Sequence, residues 1–125
     1  MTLELFGLKE IPLVKKGDNI AELIKEDLTK EGIGIEKGDI ILIAETLISK
    51  AEGNIIELDK IIPSEKALEI ADECGKDAKL VQAILDVSNE VVRIGPNFVI
   101  TETKHGFVCA NAGLDESNVE DGLAT

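Results

Sequence analysis

The chain has 125 residues, long enough for one domain with its own core, and carries a formal net charge of −12 from 13 Lys plus Arg against 25 Asp plus Glu. That balance excludes a nucleic-acid backbone or an anionic membrane surface as the main partner, but it leaves small anions open where a divalent cation or a few placed lysines bridge the repulsion. Apolar residues make up 44% of the chain, which excludes a disordered acidic tail, and the aromatic complement of Phe6, Phe98 and Phe107 excludes a base-stacking platform.

From the N-terminus, TLELFGL at 2–8 alternates as a strand does. IPLVKKGDN follows as a loop, stiffened by Pro12 and ended by Gly17. Asp18 or Asn19 then caps a helix whose stripe is Ile20, Leu23, Ile24 and Leu28, with Glu26 and Lys30 four apart on its wet face. A turn over Glu36, Lys37, Gly38 and Asp39 leads into IILIA at 40–44, a near-continuous apolar run expected to be a strand buried on both faces. That strand runs out into Glu45, Thr46 and the stretch that ends at Gly53, and a second β-like segment follows at NIIEL.

Pro63 and Ser64 open a helix that continues to about Cys74, with Gly75 as its stop, and residues 77–88 form another around Leu80, Val81, Ile84 and Leu85. Strands are expected near EVVRI, NFVITET and GFVCANA, separated by Gly or Pro. Clustered helices and late antiparallel strands predict an α+β fold, with a mixed, largely antiparallel sheet and about three helices. No repeat, low-complexity segment or linker interrupts the pattern, so residues 1–125 read as a single domain.

Cys74 and Cys109 make neither a zinc spacing nor a CxxC, and MTLELFGLKE is not a signal peptide; two reduced thiols in a cytoplasmic protein are expected. No apolar run approaches the roughly 20 residues of a membrane span. There is no P-loop, GIGIEKG at 32–38 has the wrong spacing for a dinucleotide fingerprint, and the lone His105 beside Gly106 reads as a turn residue.

Three places where loops meet strands remain as candidates for chemistry: Pro12, Leu13, Val14 and Lys15; the stretch from Thr46 to Lys50; and CANAGLDESN at 109–118. Lys15 and Lys50 are either phosphate contacts or solvated side chains. Asp115 is either a hard ligand for Mg²⁺ or Mn²⁺, or the cap of an acidic helix start continued by Glu116, Glu120 and Asp121; the two are compatible.

IPLVKKGDN at 11–19, LISKAEG at 47–53, LVQAIL at 80–85 and VCANAGLDESNVEDG at 108–122 resemble, in order and spacing over the whole chain, the coenzyme F-420:gamma-glutamyl ligase family. SKAEG followed by NAGxDxSN is specific to that family and its fusion relatives, and the match takes in the N-terminal half of their length. The resemblance implies an enzyme that uses GTP and Mg²⁺ or Mn²⁺ to join L-glutamate to the coenzyme F-420 precursor through an acyl phosphate, and that works as a homodimer. Such chemistry rests on positioning and charge neutralisation more than on a protein nucleophile. Carried over by position, Pro12, Leu13, Val14, Lys15, Thr46 and Lys50 would hold the nucleotide, with Glu45 contributing its main chain only, because a carboxylate beside a triphosphate is repulsive. Asp115 would bind metal, Asn118 would contact the nucleotide, and Asn111 and Gly113 would shape the turn. The alternative is a non-catalytic nucleotide- or metal-binding or dimerisation fragment, since further metal ligands belong to the family's other half.

Overall fold

A computed structural model describes residues 2–117 and 119–125, which fall into two compact units, Met1–Asn54 and Ile55–Thr125.

The first unit is built on two helices. Helix α1 spans Ile20–Glu31. Asn19 caps it, its Oδ1 accepting from the amides of Ala21 and Glu22 at 3.1 and 3.3 Å, and Gly32 closes it in the left-handed region at φ 70°. Lys30 is 3.6 Å from Glu10, an exposed pair on the segment that runs alongside. Helix α2 spans Glu45–Glu52, where the sequence suggested the frayed end of a strand. It buries Thr46 and Ser49 and stops at Gly53, φ 76°, whose amide reaches the carbonyls of Lys50 and Ser49.

Two expected strands are not formed. Residues 2–8 and 40–44 are outside any strand, and Leu3, Leu5, Ile40 and Leu42 are 80–95% exposed. Apolar alternation states which faces a segment can bury, but a strand exists only where a neighbour takes its main-chain groups, and neither segment has such a neighbour among the described residues.

The second unit carries the core. After the short strand β1 (Ile56–Glu57), helices α3 (Glu65–Cys74) and α4 (Ala78–Asp86) form a hairpin. They are capped by Ser64, whose Oγ accepts from the Ala67 amide, and by Asp77, whose Oδ1 accepts from the amides of Lys79 and Leu80. The hairpin packs on an antiparallel sheet of β2 (Ser88–Gly95), β3 (Phe98–Thr103) and β4 (Val108–Ala110), in that order. In β3, Val99, Thr101 and Thr103 face inward, and Val99 joins Ala67, Ile70, Ala71, Cys74 and Val81 in one apolar cluster. A second cluster of Leu58, Leu80, Ala83, Ile84 and Ala124 closes beneath strand β5 (Leu123–Ala124), which pairs antiparallel with β1. Phe107 and Val108 are exposed, so β4 is an edge strand and not a buried one.

The α+β expectation holds, with four α-helices and two small antiparallel sheets among the described residues. Cys74 is buried and Cys109 half-buried, both as free thiols, and His105 lies in the turn between β3 and β4. Ile84→Ala, at a position with no exposed surface, is expected to cost about 2–5 kcal/mol in a urea melt. Ile40→Ala, at 84% exposure, is expected to change stability by less than about 0.5 kcal/mol.

Candidate functional site

In the first unit, the loop of Pro12, Leu13, Val14 and Lys15 runs into a tight turn. The Lys15 amide donates to Asp18 Oδ2 at 2.7 Å and the Asp18 amide returns to the Lys15 carbonyl at 3.1 Å. Gly17, at φ 93°, donates its amide to the Ala51 carbonyl at 2.8 Å, which fastens the turn to the last turn of α2. The Lys16 stem crosses Gly53 so closely that a Cβ there would lie 2.6 Å from it, so only glycine allows the approach. The structure therefore brings the 12–15 loop and the helix bearing Thr46 and Lys50 into one piece. Pro12, Leu13 and Lys15 are exposed, Val14 and Lys50 are intermediate, and Thr46 is buried at 5% exposure.

The start of α2 has a distinct chemistry. Ala44 occupies the cap position and offers no side-chain acceptor, so the first-turn amides keep the positive end of the helix uncompensated by a cap. The Glu45 carboxylate is taken up by a short hydrogen bond from the Ser49 hydroxyl one turn along. The first-turn amides are open to an anion, while the Glu45 side chain in the same turn opposes one.

In the second unit, residues 111–113 turn the chain after β4 with three consecutive left-handed residues, Asn111, Ala112 and Gly113 at φ 53°, 54° and 80°. Asn111 Oδ1 accepts the Val99 amide at 3.1 Å, which ties the turn to the central strand. Asp115 then exchanges both main-chain hydrogen bonds with Thr125, each 2.9 Å, fixing its backbone while its side chain stays exposed. Among the described residues no helix follows, so the helix-start alternative is not formed; Asp115 caps one turn instead. Its Oδ1 accepts the Ser117 amide at 3.1 Å and its Oδ2 a short bond from the Ser117 hydroxyl. These bonds, the hydroxyl's first and then the amide's, hold its carboxyl below the ordinary 3.8. Asn118 lies outside the described residues.

An ionised, exposed Asp115 carboxylate suits a hard divalent cation, and its oxygens retain lone pairs beyond those given to Ser117. Among the described residues no three His, Cys, Asp or Glu side chains gather to hold a metal, so Asp115 would supply one ligand of an incomplete shell. Two polar residues that the structure engages are assigned no role in the sequence analysis. Ser49 was legible as the hydroxyl four residues after Glu45. Asp27, 2% exposed, accepts the amides of Lys9 and Glu10 at 3.1 and 3.3 Å; an acid inside the apolar stripe of α1 was its signal.

A family model described as F420-0:Gamma-glutamyl ligase matches residues 9–125. The coenzyme F420:L-glutamate ligase of Methanothermobacter thermautotrophicus is 58% identical over 125 residues, 100% of this chain and 50% of that protein. Proteins of the same name from Methanocaldococcus jannaschii and Archaeoglobus fulgidus are 56% and 46% identical over 97% and 98% of this chain, each covered to 47%. The chain belongs to the F420-0:gamma-glutamyl ligase family, and it spans about half the length of the curated relatives it matches.

The lowered midpoint of Asp115 has a defined sign. Whatever stability its ionised form contributes is present above pH 3.8 and lost as pH falls through the lower folded value. A carbon-detected titration is expected to place the Asp115 midpoint below 3.8, and Ser117→Ala to move it back toward 3.8. Asn111→Ala removes the acceptor of the Val99 amide and is expected to cost about 1–3 kcal/mol in a urea melt.

Proposed function

We infer that the chain forms the N-terminal portion of a cytoplasmic, homodimeric ligase that uses GTP to attach L-glutamate to the coenzyme F-420 precursor. The observation that carries the reading is the family match over residues 9–125, with relatives named for that ligation aligned along nearly the whole chain. The seating of the 12–15 loop on α2 supports a nucleotide site there. In this reading a carboxylate oxygen of the precursor attacks the γ-phosphorus of GTP and GDP leaves. The glutamate nitrogen then attacks the acyl carbon, phosphate leaves, and the nitrogen gives up a proton as the amide forms.

This chain's residues bind and orient. The loop of Pro12, Leu13, Val14 and Lys15 holds the nucleotide with Thr46; a nucleotide contact by Asn118 is implied by the family resemblance alone. Lys15 and Lys50 offer ammonium groups to the phosphates, and the Glu45 main chain stands at the uncapped start of α2, with its carboxylate occupied by Ser49. Asp115 would hold Mg²⁺ or Mn²⁺, which when bound offsets the charge of the triphosphate; phosphate oxygens, water and side chains outside this chain would fill the other positions.

A second reading, a nucleotide- or metal-binding or dimerisation module without catalysis of its own, is favoured because no three His, Cys, Asp or Glu side chains gather for a metal among the described residues. The test is to incubate the chain, alone and with the second half of the Methanothermobacter relative, with GTP, Mn²⁺, L-glutamate and precursor. Products heavier by glutamate units are expected from the pair, and their absence from a folded pair overturns the ligase reading. In calorimetry, Lys50→Ala is expected to weaken GTP binding about tenfold, or about 1.4 kcal/mol. Asp115→Ala is expected to remove its metal dependence. Equal GTP binding by metal-free, wild-type and Asp115→Ala protein would make Asp115 a structural turn residue.

A further inference from the structure

The first unit holds an apolar surface that the ligase reading does not use. Residues 40–43 lie outside any helix or strand and make no main-chain hydrogen bond among the described residues. Ile41 and Ile43, at 50% and 42% exposure, line a groove of about 820 Å³ with Ile20, Ile24, Ile35 and Ile48. The alternate side chains, Ile40 and Leu42, are 84% and 80% exposed. The run thus presents two apolar faces and two unpaired main-chain edges. That is the signature of a strand interior to a sheet covered on both sides, and a flat hydrophobic edge left open is an aggregation hazard that folded proteins cover.

We propose that residues 40–43 and the adjoining groove are the docking surface for the polypeptide that forms the second half of the ligase relatives. That polypeptide pairs a strand with the 40–43 main chain and places apolar side chains against Ile41 and Ile43. The inference rests on the reading of the chain as the N-terminal portion of such an enzyme. Two observations select this occupant. The relatives match this chain from end to end and have as much length again. The chain's own unpaired apolar segment, residues 2–8, forms no ladder with 40–43.

The experiment co-produces the 125-residue chain with the second half of the Methanothermobacter relative and follows amide exchange. A one-to-one complex is expected in which exchange at residues 40–43 slows by at least about tenfold against the chain alone, with β3 unchanged. The double variant Ile40→Lys, Leu42→Lys changes two side chains already exposed, so circular dichroism and β3 exchange of the chain alone are expected to stay as they are. Its complex is expected to weaken by about tenfold or more. Failure to form a complex, a complex with 40–43 still exchanging freely, or a self-dimer of the chain abolished by the double variant each overturns the proposal. The same samples separate the two readings. Glutamylated product from a complex with 40–43 unprotected removes the docking surface and keeps the ligase. Protection without product keeps the docking surface and removes the ligase.

Discussion

A main-chain amide or carbonyl withdrawn from water must find another partner, and where those partners are available decides which parts of this molecule become sheet. Strand β3 has a neighbour on each side, β2 and β4, and the Val99 amide is met by the side chain of Asn111. Beyond the sheet, Asp115 and Thr125 exchange both main-chain bonds and Leu58 donates to the Gly122 carbonyl, so the 115–122 loop is closed at its base. With these groups paired, the inward side chains of β3 and the α3–α4 hairpin can exclude water together, and the two apolar clusters form as a result. In the first unit the same constraint acts by default. Segments with strand-like composition stay open, and Leu28 is its one buried apolar side chain among the described residues.

Charge imposes the second constraint. A chain of net −12 repels a triphosphate, so any nucleotide site in it must be built from local positive features. An uncapped helix start is one such feature, because aligned peptide dipoles place partial positive charge there without adding a cationic side chain. The Ser49 hydroxyl bonded to Glu45 fixes the direction of that carboxylate within its own helix but does not offset its charge. At Asp115 the logic is reversed. The two bonds from Ser117 stabilise the charged form, and a carboxylate held ionised and exposed attracts a cation rather than a proton.

How much of this the amino-acid order reveals depends on how local the cause is. Helix caps are decided within four or five residues, which is why Asn19, Ser64 and Gly75 were readable as starts and a stop. Helix α2 was missed because its inward positions are Thr46 and Ser49, and polar residues facing inward erase the apolar stripe on which helix recognition depends. The strand expected at 40–44 failed for the opposite reason: its pattern is correct for burial, but burial needs a partner that the pattern does not contain. Asp115 with Ser117 satisfies helix-cap chemistry and one-turn chemistry equally, and the choice falls to the path of the chain beyond them, which here returns to strand β5. The candidate site residues were chosen on their motifs alone, whereas the anchoring of the 12–15 loop on α2 by Gly17 and Gly53 required the structure.

Asp27 shows what the first unit uses in place of a larger apolar core. Its carboxylate is buried at 2% exposure, and one oxygen gathers the amides of Lys9 and Glu10, so the segment leading to the 12–15 loop is fastened to α1 by hydrogen bonds rather than by packing. The other oxygen is buried without a hydrogen-bond partner among the described residues. A charge-assisted anchor of this kind is directional, so it can fix the approach of a loop before the apolar surfaces around it are covered. Hydrophobic packing cannot do that, because its strength scales with the area already closed to water. The first unit therefore sets its loop with polar anchors (Asp18, Gly17 and Asp27) and keeps its apolar run of 40–43 uncommitted. On the proposed reading, the nucleotide loop takes shape from this chain alone, while the groove beside it closes only when a complementary polypeptide is bound.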